Sequence, residues 1–419
     1  MSQKKKILVV VGAGASIELG MPSVSCINNL FVQWAKDDYS LASNGYSNLY
    51  SFFVREVERY KKDHLEKNLR TPTNFEEVLY VLYLLPAVFL NGVFTSSIGA
   101  FLSGRKLPDI RRLGRHQVTD SRILGSLVSH LIELLLKEFR ERCQKVECNY
   151  KPQLDQWNGF LNRLDNDFEL AIVSLNYDNL VYQALRPINT GFDPVTGLFK
   201  PESIFYRENW RCLLHLHGSV HFDSWNELKW IDDLSKIYNQ ASDGASGQSN
   251  RHTKEGLVLP SSGIVIGYGK LLQLQNQPFR TYYAELDRLV HKCEGVIFLG
   301  YGFADDHLNS AFSGYRNDHK RPVVVIDKAD KDIMTIRSIN NVLPSAWSAA
   351  HLFGNDPLSM KWHDDWNFPA RVEKLNEIDE FESSNDPNTP LSFWYGGMQK
   401  ACCNYEKIAQ AVNGVSGSK

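Results

Sequence analysis

The sequence has no excess of charge of either sign. Forty-six Lys and Arg stand against 48 Asp and Glu, for a formal net charge of −2. No global basic field therefore draws the protein onto nucleic acid or an anionic membrane, and any such contact must be local. Paired cysteines are missing too. The seven (Cys26, Cys143, Cys148, Cys212, Cys293, Cys402 and Cys403) are odd in number and contain no CxxC spacing. That excludes a zinc ribbon and a disulfide scaffold and predicts a reducing, cytoplasmic location. No apolar run is long enough for a membrane span. The longest, VLYVLYLLPAVFLNGVF at 78–94, is broken by Pro86 and Asn91 and falls short of the roughly 20 residues that a bilayer requires; it reads as a buried helix. MSQKKK passes straight into a predicted core strand, which leads to the expectation of no signal peptide. Internal repeats are absent as well.

What is present starts with VVVGAGASIELGMPS at 9–23. Ile7 to Val11 form a continuous apolar run, the pattern of a strand covered on both faces in a parallel sheet. Gly12 and Gly14 follow. Glycines there allow a tight turn and bring backbone N–H groups near an anion, with a helix from about Ala15 or Ser16 directing its positive end at the same place. Phosphate binding is one expectation; a strand-to-helix turn without ligand is the other. The dinucleotide fingerprint of hydride-transfer enzymes wants a third glycine where Ile17 stands, and an acid closing a second strand roughly 20 residues on. Asp37 and Asp38 follow a helical pattern instead.

Further strand-like runs lie at 168–176, 212–218, 256–260, 295–302 and 321–327, several followed by helical patterns. This alternation predicts an α/β, doubly wound, Rossmann-like parallel sheet. Functional residues should then sit just past the carboxyl ends of the strands. From about 25 to 165 the pattern is helical, which predicts a large helical insert in a domain spanning 1–330. Within it GRKLPDIRRLGRH (104–116) concentrates Arg105, Lys106, Arg111, Arg112 and Arg115. That is either a patch for nucleic acid or an acidic partner, or a solvated, poorly structured connection. The Gly/Ser/Asn-rich 239–256 segment predicts a flap over the site. Residues 331–419 read as a helical and irregular C-terminal appendage ending in disorder at 416–419.

Four segments fall at strand ends: GAGAS (12–16), SLNYD (174–178), HLHGS (215–219) and GYGFADDH (300–307). In that order, with NFEEVLYVL at 74–82, they resemble the sirtuin superfamily, and within it the bacterial sirtuin-like proteins that degrade NAD in anti-phage defence. The resemblance spans about residues 7–327. It implies that Ala13, Gly14, Ala15 and Ser16 line an NAD phosphate and ribose site. It implies that Asn176 and His217 are the catalytic pair, with Asp178 in support. Gly300, Tyr301, Gly302 and Asp305 would line the adenosine side, and Asp327 would lie near the adenine. NAD is then the substrate and no metal is implied. The resemblance further implies a homo-oligomer partnered by a HerA-type ATPase. Two features of sirtuin deacylases are missing here: the cysteine pairs of their zinc module, and GIPDFR, in whose place stands GMPSVS.

The residue chemistry agrees with cleavage of a glycosidic bond. The nicotinamide of NAD leaves as a neutral group, so departure needs no acid. Asn176 can bond a ribose hydroxyl or water without gaining or losing a proton, and His217 can accept a proton near neutral pH. Other readings remain open at this point. Asn176 is a good cap for a helix near Asp178. His215 and His217, with His221 and Asp223, have a spacing that a metal could use. FADDH also makes an ordinary acidic helix start. A non-catalytic subunit binding NAD or ADP-ribose and, less favoured, a protein deacylase are the alternative functions.

Overall fold

The computed structural model describes residues 3–36, 38–42, 46–66, 73–89, 107–112, 114–223, 228–237, 263–266, 274–312, 315, 321–328, 349, 352–353, 379, 381–383 and 390–414. The expected flap at 239–256, the strand at 256–260, Arg105, Lys106 and the tail at 416–419 lie outside them. The chain divides into two compact units. One gathers Met1–Met21, Arg142–Ser219 and Asn276–Lys419; the other gathers Pro22–Glu141 and Val220–Gln275.

The first unit is built on a seven-stranded sheet. Its strands are β1 (Lys6–Val11), β2 (Glu169–Ser174), β3 (Cys212–His215), β4 (Gly295–Leu299), β5 (Val323–Ile326), β6 (Glu382–Ser383) and β7 (Leu391–Trp394), in the order β6-β7-β5-β4-β1-β2-β3. All neighbours are parallel except β6 on β7. This is the expected doubly wound α/β sheet. The apolar runs explain it: Ile7 to Val11, Leu170 to Val173 and Val296 to Leu299 are buried without alternation, as strands covered on both faces must be. The registers place Val11 beside Ser174 and Leu299, and Ser174 beside His215. The ladder then runs one residue further, with Leu175 N–H donating to Val11 O, Leu216 N–H to Ser174 O and Gly300 N–H to Ile326 O at 2.8–2.9 Å. Five strand ends, those of β1 to β5, thus finish level. From β1 the chain builds outward first to β2 and β3, then on the other side to β4 and β5, so the direction reverses between β1 and β4. Crevices at such reversals, outside the carboxyl ends, are where open α/β sheets bind ligands.

Helices flank the sheet. Lys151–Asp167 buries Leu154, Trp157, Phe160, Leu161 and Leu164, a helical stripe, and Phe279–Lys292 buries Phe279, Tyr282, Leu286, Leu289 and Val290. The stretch expected as an appendage contributes to this same unit. Leu391, Phe393 and Trp394 are buried in β7 beside β5, and Ile408 and Val412 of the helix Tyr405–Asn413 are buried as well. Lys5 Nζ also donates to Val412 O at 2.8 Å. A four-residue strand following Pro390 is too short to show a period, which is why the sequence reads as irregular there.

The second unit is largely helical, as expected of the insert. Val24–Trp34, Leu49–His64 and Phe75–Phe89 are helices, and Phe31 meets both Tyr50 and Phe75 edge-on at 5.5–5.6 Å. Asn48 and Ser51 form a reciprocal capping box on the second of these, of the kind that satisfies two orphan helix amides. The insert is narrower than predicted, because Lys151–Asp167 belongs to the other unit. It is also not purely helical. The described part of the basic 104–116 segment forms strands Ile110–Arg112 and Arg115–Gln117, antiparallel to each other, with Ser40–Leu41 alongside. No described helix is long and apolar enough to cross a membrane.

In the first unit the turn after β1 packs backbone to backbone on the turn after β4. Gly14 N–H donates to Gly300 O and Gly12 N–H to Leu299 O, both at 2.9 Å. A Cβ on Gly300 would lie 2.0 Å from Ala15 N, and one on Gly12 would lie 2.6 Å from Gly300 O. Gly300 also has φ +58°, a conformation unfavourable for residues with a Cβ. Gly300→Ala should therefore cost about 1–3 kcal/mol of stability. Denaturant unfolding of the purified variant measures this, and a midpoint equal to that of the parent would contradict the packing described.

Candidate active site at the level strand ends

Every residue that the resemblance assigns to catalysis or NAD lies in the first unit, in the segments that follow β1, β2, β3, β4 and β5. The turn after β1 departs from the expected anion cradle. Its helix, Gly14–Ile17, is a single turn, too short to present a useful dipole. Its amides are also largely committed: Gly12 and Gly14 to the β4 turn, Ala15 to Gly12 O and Ser16 to Ala13 O. The two glycines serve close packing of turn on turn. Ala13 is exposed on this turn, whereas Ala15 and Ser16 are buried.

Asn176 follows β2 and is buried. Its Nδ2 donates to Gly12 O and to Ser16 Oγ, both at 2.9 Å. Since Gly12 O can only accept, the atom facing it must be the amide nitrogen, which fixes the orientation of the side chain. Both amide hydrogens are thereby used, and the carbonyl oxygen is the face left to accept a hydrogen bond from a ligand hydroxyl or water. The capping role weighed for Asn176 is not seen. The next helix, Leu180–Leu185, has Asn179 as its cap residue, and Leu180 N–H goes to Asp178 Oδ1 at 3.1 Å.

Asp178 is fully enclosed, and its Oδ2 is buried without a hydrogen-bond partner. Burial raises its pKa above the ordinary carboxylate value; the neighbouring Ser16 hydroxyl, Leu180 amide and Asn176 side chain oppose that rise. Desolvation disfavours the charged form.

His217, two residues past β3, is 6% exposed. Its Nε2 lies 2.8 Å from Asp305 Oδ2. The other oxygen of Asp305 caps the helix Asp306–Ala311, accepting from His307 N–H at 3.0 Å and Leu308 N–H at 3.1 Å. The carboxylate expected beside an adenosine is thus engaged with His217. Tyr301, from the same expected group, is also turned inward. Its hydroxyl donates to Asn309 Oδ1 at 2.8 Å and stands within 3.3 Å of Asp305 N and O, and burial together with the Asp305 charge pushes its phenol pKa well up. Gly302 is exposed, and a side chain there would meet only open space. Asp327 is half-buried at the end of β5, with Oδ1 accepting from Lys328 N–H at 2.8 Å.

Two features went unread in the sequence. Asn309 ties the β4 loop together, its Nδ2 donating to Phe303 O at 2.9 Å while its Oδ1 accepts from Tyr301. Phe303 has φ +56°, costly for an aromatic residue and kept only where surroundings impose it. The i,i+4 spacing of Asp305 and Asn309 on one helix was the available signal. The HxH pattern does not extend as its spacing suggested. His221 belongs to the second unit, where it stacks on Trp230 and its Nδ1 lies 2.7 Å from Ile231 O. Among the described residues no group of three or more His, Cys, Asp or Glu is placed to hold a metal.

Residues 170–343 match the family model of the SIR2-like domain. The match covers Asn176, Asp178, His217, Gly300 to Asp305 and Asp327, and begins after the GAGAS turn. Residues 170–343 are thus similar to a SIR2-like domain. Among solved structures it is similar to Sir2Tm bound to a propionylated peptide, at 12% identity over 85% of this chain and 95% of that one with a TM-score of 0.32. It is also similar to a Sir2 homologue in complex with NAD, at 13% identity over 84% and 88% with a TM-score of 0.34. No curated protein matches the chain.

The enclosed Asp178 gives the first unit a testable pH signature. Its folded-state pKa is raised, so folding takes up a proton between the ordinary carboxylate value and the higher one. The associated stability is complete in acid and is lost as pH climbs through the folded-state value. Asp178→Asn should remove that loss, giving a flatter stability profile from acid to neutral pH. Equal slopes for parent and variant in denaturant titrations would exclude the effect.

Proposed function

We propose that the chain is an NAD+ glycohydrolase, cleaving NAD+ to nicotinamide and ADP-ribose. The observation that carries the reading is the arrangement at adjoining strand ends. One is an amide locked with its carbonyl available, Asn176 past β2, and the other a histidine held by a carboxylate, His217 past β3, to which the loop after β4 brings Asp305. In this scheme the bond between the anomeric carbon and the pyridinium nitrogen breaks, and nicotinamide departs with the bonding electrons as a neutral molecule. Water adds to the oxocarbenium-like carbon from which it left. The proton released from that water passes to His217, and Asn176 Oδ1 holds a ribose hydroxyl or the water in line. The uncrowded backbone at Gly302 and the exposed Ala13 leave room for a nucleotide at the rim. The similarity to a SIR2-like domain and the sequence resemblance support NAD as the substrate. Deacylation is less supported, since the sequence lacks the paired cysteines of the zinc module.

The resemblance also supports a role in anti-phage defence by NAD depletion, in the cytoplasm. There the chain acts as a homo-oligomer under the control of a HerA-type ATPase, because an unrestrained NADase would kill its own cell.

Asn176→Ala and His217→Ala should each lower NAD+ turnover by about 10²–10⁴-fold with unfolding midpoints near that of the parent. The measurement is mass-spectrometric release of nicotinamide and ADP-ribose by the purified chain, alone and with the ATPase. Undiminished turnover in both variants would sink the assignment. Binding of NAD without any turnover would favour a non-catalytic binding subunit, and release dependent on an acylated peptide would favour a deacylase.

A further inference from the structure

The loop Gly300–Asp305 is shaped at high cost. Gly300 is in the left-handed region with no room for a Cβ against the β1 turn, Phe303 is in the left-handed region without being glycine, and the Tyr301 hydroxyl and the Asn309 amide bridge the loop from inside. Backbone strain of this kind persists only where the surroundings over-determine it. Its visible product is one carboxylate, aimed by its cap bonds to His307 and Leu308 so that Oδ2 stands 2.8 Å from His217 Nε2. A helix cap alone requires neither the second oxygen nor the buried histidine.

We propose that Asp305 is a positioning residue that fixes the tautomer of His217, keeping the proton on Nε2 and leaving Nδ1 as the atom that accepts a proton in the reaction. A carboxylate only accepts, so the imidazole nitrogen facing it must carry hydrogen, and in the neutral ring the other nitrogen then holds the lone pair. When Nδ1 takes a proton from water or a ribose hydroxyl, the imidazolium that forms is stabilised by the adjacent negative charge, and Asp305 itself gains no proton. The phenols of Tyr283, on the flanking helix, and of Tyr301 lie near Asp305, and burial keeps both protonated. Asp306, next in sequence, is exposed. The role rests on the proposed function for its catalytic meaning, but the tautomer is a property of the folded chain whether or not it turns over NAD.

Full-length protein labelled with ¹⁵N-histidine, with His217→Ala used to assign the resonance, reports the tautomer through long-range ¹H–¹⁵N correlations. The parent should show His217 protonated at Nε2, with Nδ1 of pyridine type. Asp305→Asn keeps a good helix cap while turning an amide donor toward Nε2, so the proton should move to Nδ1. Turnover of NAD+ should then fall by about 10²–10⁴-fold, chiefly in kcat, with a changed pH profile and a nearly unchanged unfolding midpoint. Nδ1 protonation of His217 in the parent would overturn the proposal. So would Asp305→Asn that folds and keeps both the parental tautomer and the parental pH profile. If Asp305→Asn does not fold, the parental spectrum alone decides, with Tyr301→Phe as a milder loosening of the same loop expected to broaden the tautomer signal. A parent with the expected tautomer and no NAD+ turnover would refute the proposed function and leave this assignment standing.

Discussion

The site hangs on a contact between two stretches of bare backbone. The turn after β1 and the turn after β4 touch through Gly12, Gly14 and Gly300, with hydrogen bonds at 2.9 Å between them. No side chain fits in that contact, and each turn depends on it. On one side it sets Gly12 O, the acceptor that orients the Asn176 amide. On the other it starts the loop whose end aims Asp305 at His217. The two polar side chains that carry the proposed chemistry are thus referred to a single backbone junction, and neither is free to move independently of the other. Preorganisation of this kind is what a water-poor site needs if fixed dipoles rather than mobile water are to stabilise developing charge.

Much of the fold was legible in the sequence because the relevant strands are unusually plain. Runs such as Ile7 to Val11 and Val296 to Leu299 have no polar interruption, and continuous apolarity is the signature of a strand buried on both faces. Legibility failed where an element was too short to show a period. Leu391–Trp394 and Ile110–Arg112 are strands of four and three residues, defined by the partners beside them. A partner distant in sequence leaves no trace in a local pattern.

The candidate site divides along the same line. Asn176, Asp178, His217 and Asp305 were named through the family resemblance of motifs that fall just past apolar runs, and the structure places all four at the level strand ends of one unit. Their partners were not identifiable. His217 and Asp305 are 88 residues apart, and nothing local to either marks the other. The glycines mislead for a different reason: a GxG after a strand has the same appearance whether its amides face a phosphate or another turn. Here Gly14 N–H is committed to Gly300 O. Only the three-dimensional arrangement separates the two.

The seven-stranded sheet has a consequence for biogenesis. Its first strand pairs with one that arrives late, as the contact of Lys6 with Glu294 across 288 residues shows, and the end of the chain closes over both, with Lys5 reaching Val412 across 407. Pairings of such long range must wait until their loops are closed, which slows folding. On the ribosome β1 and β2 emerge well before β4, and β7 emerges last of all. A nascent or truncated chain lacks the strand that covers β5 and, earlier still, lacks the loop bearing Asp305. A chain stopped before residue 305 holds His217 without its carboxylate partner, so the pair on which the proposed chemistry rests is completed only once the β4 loop has been made.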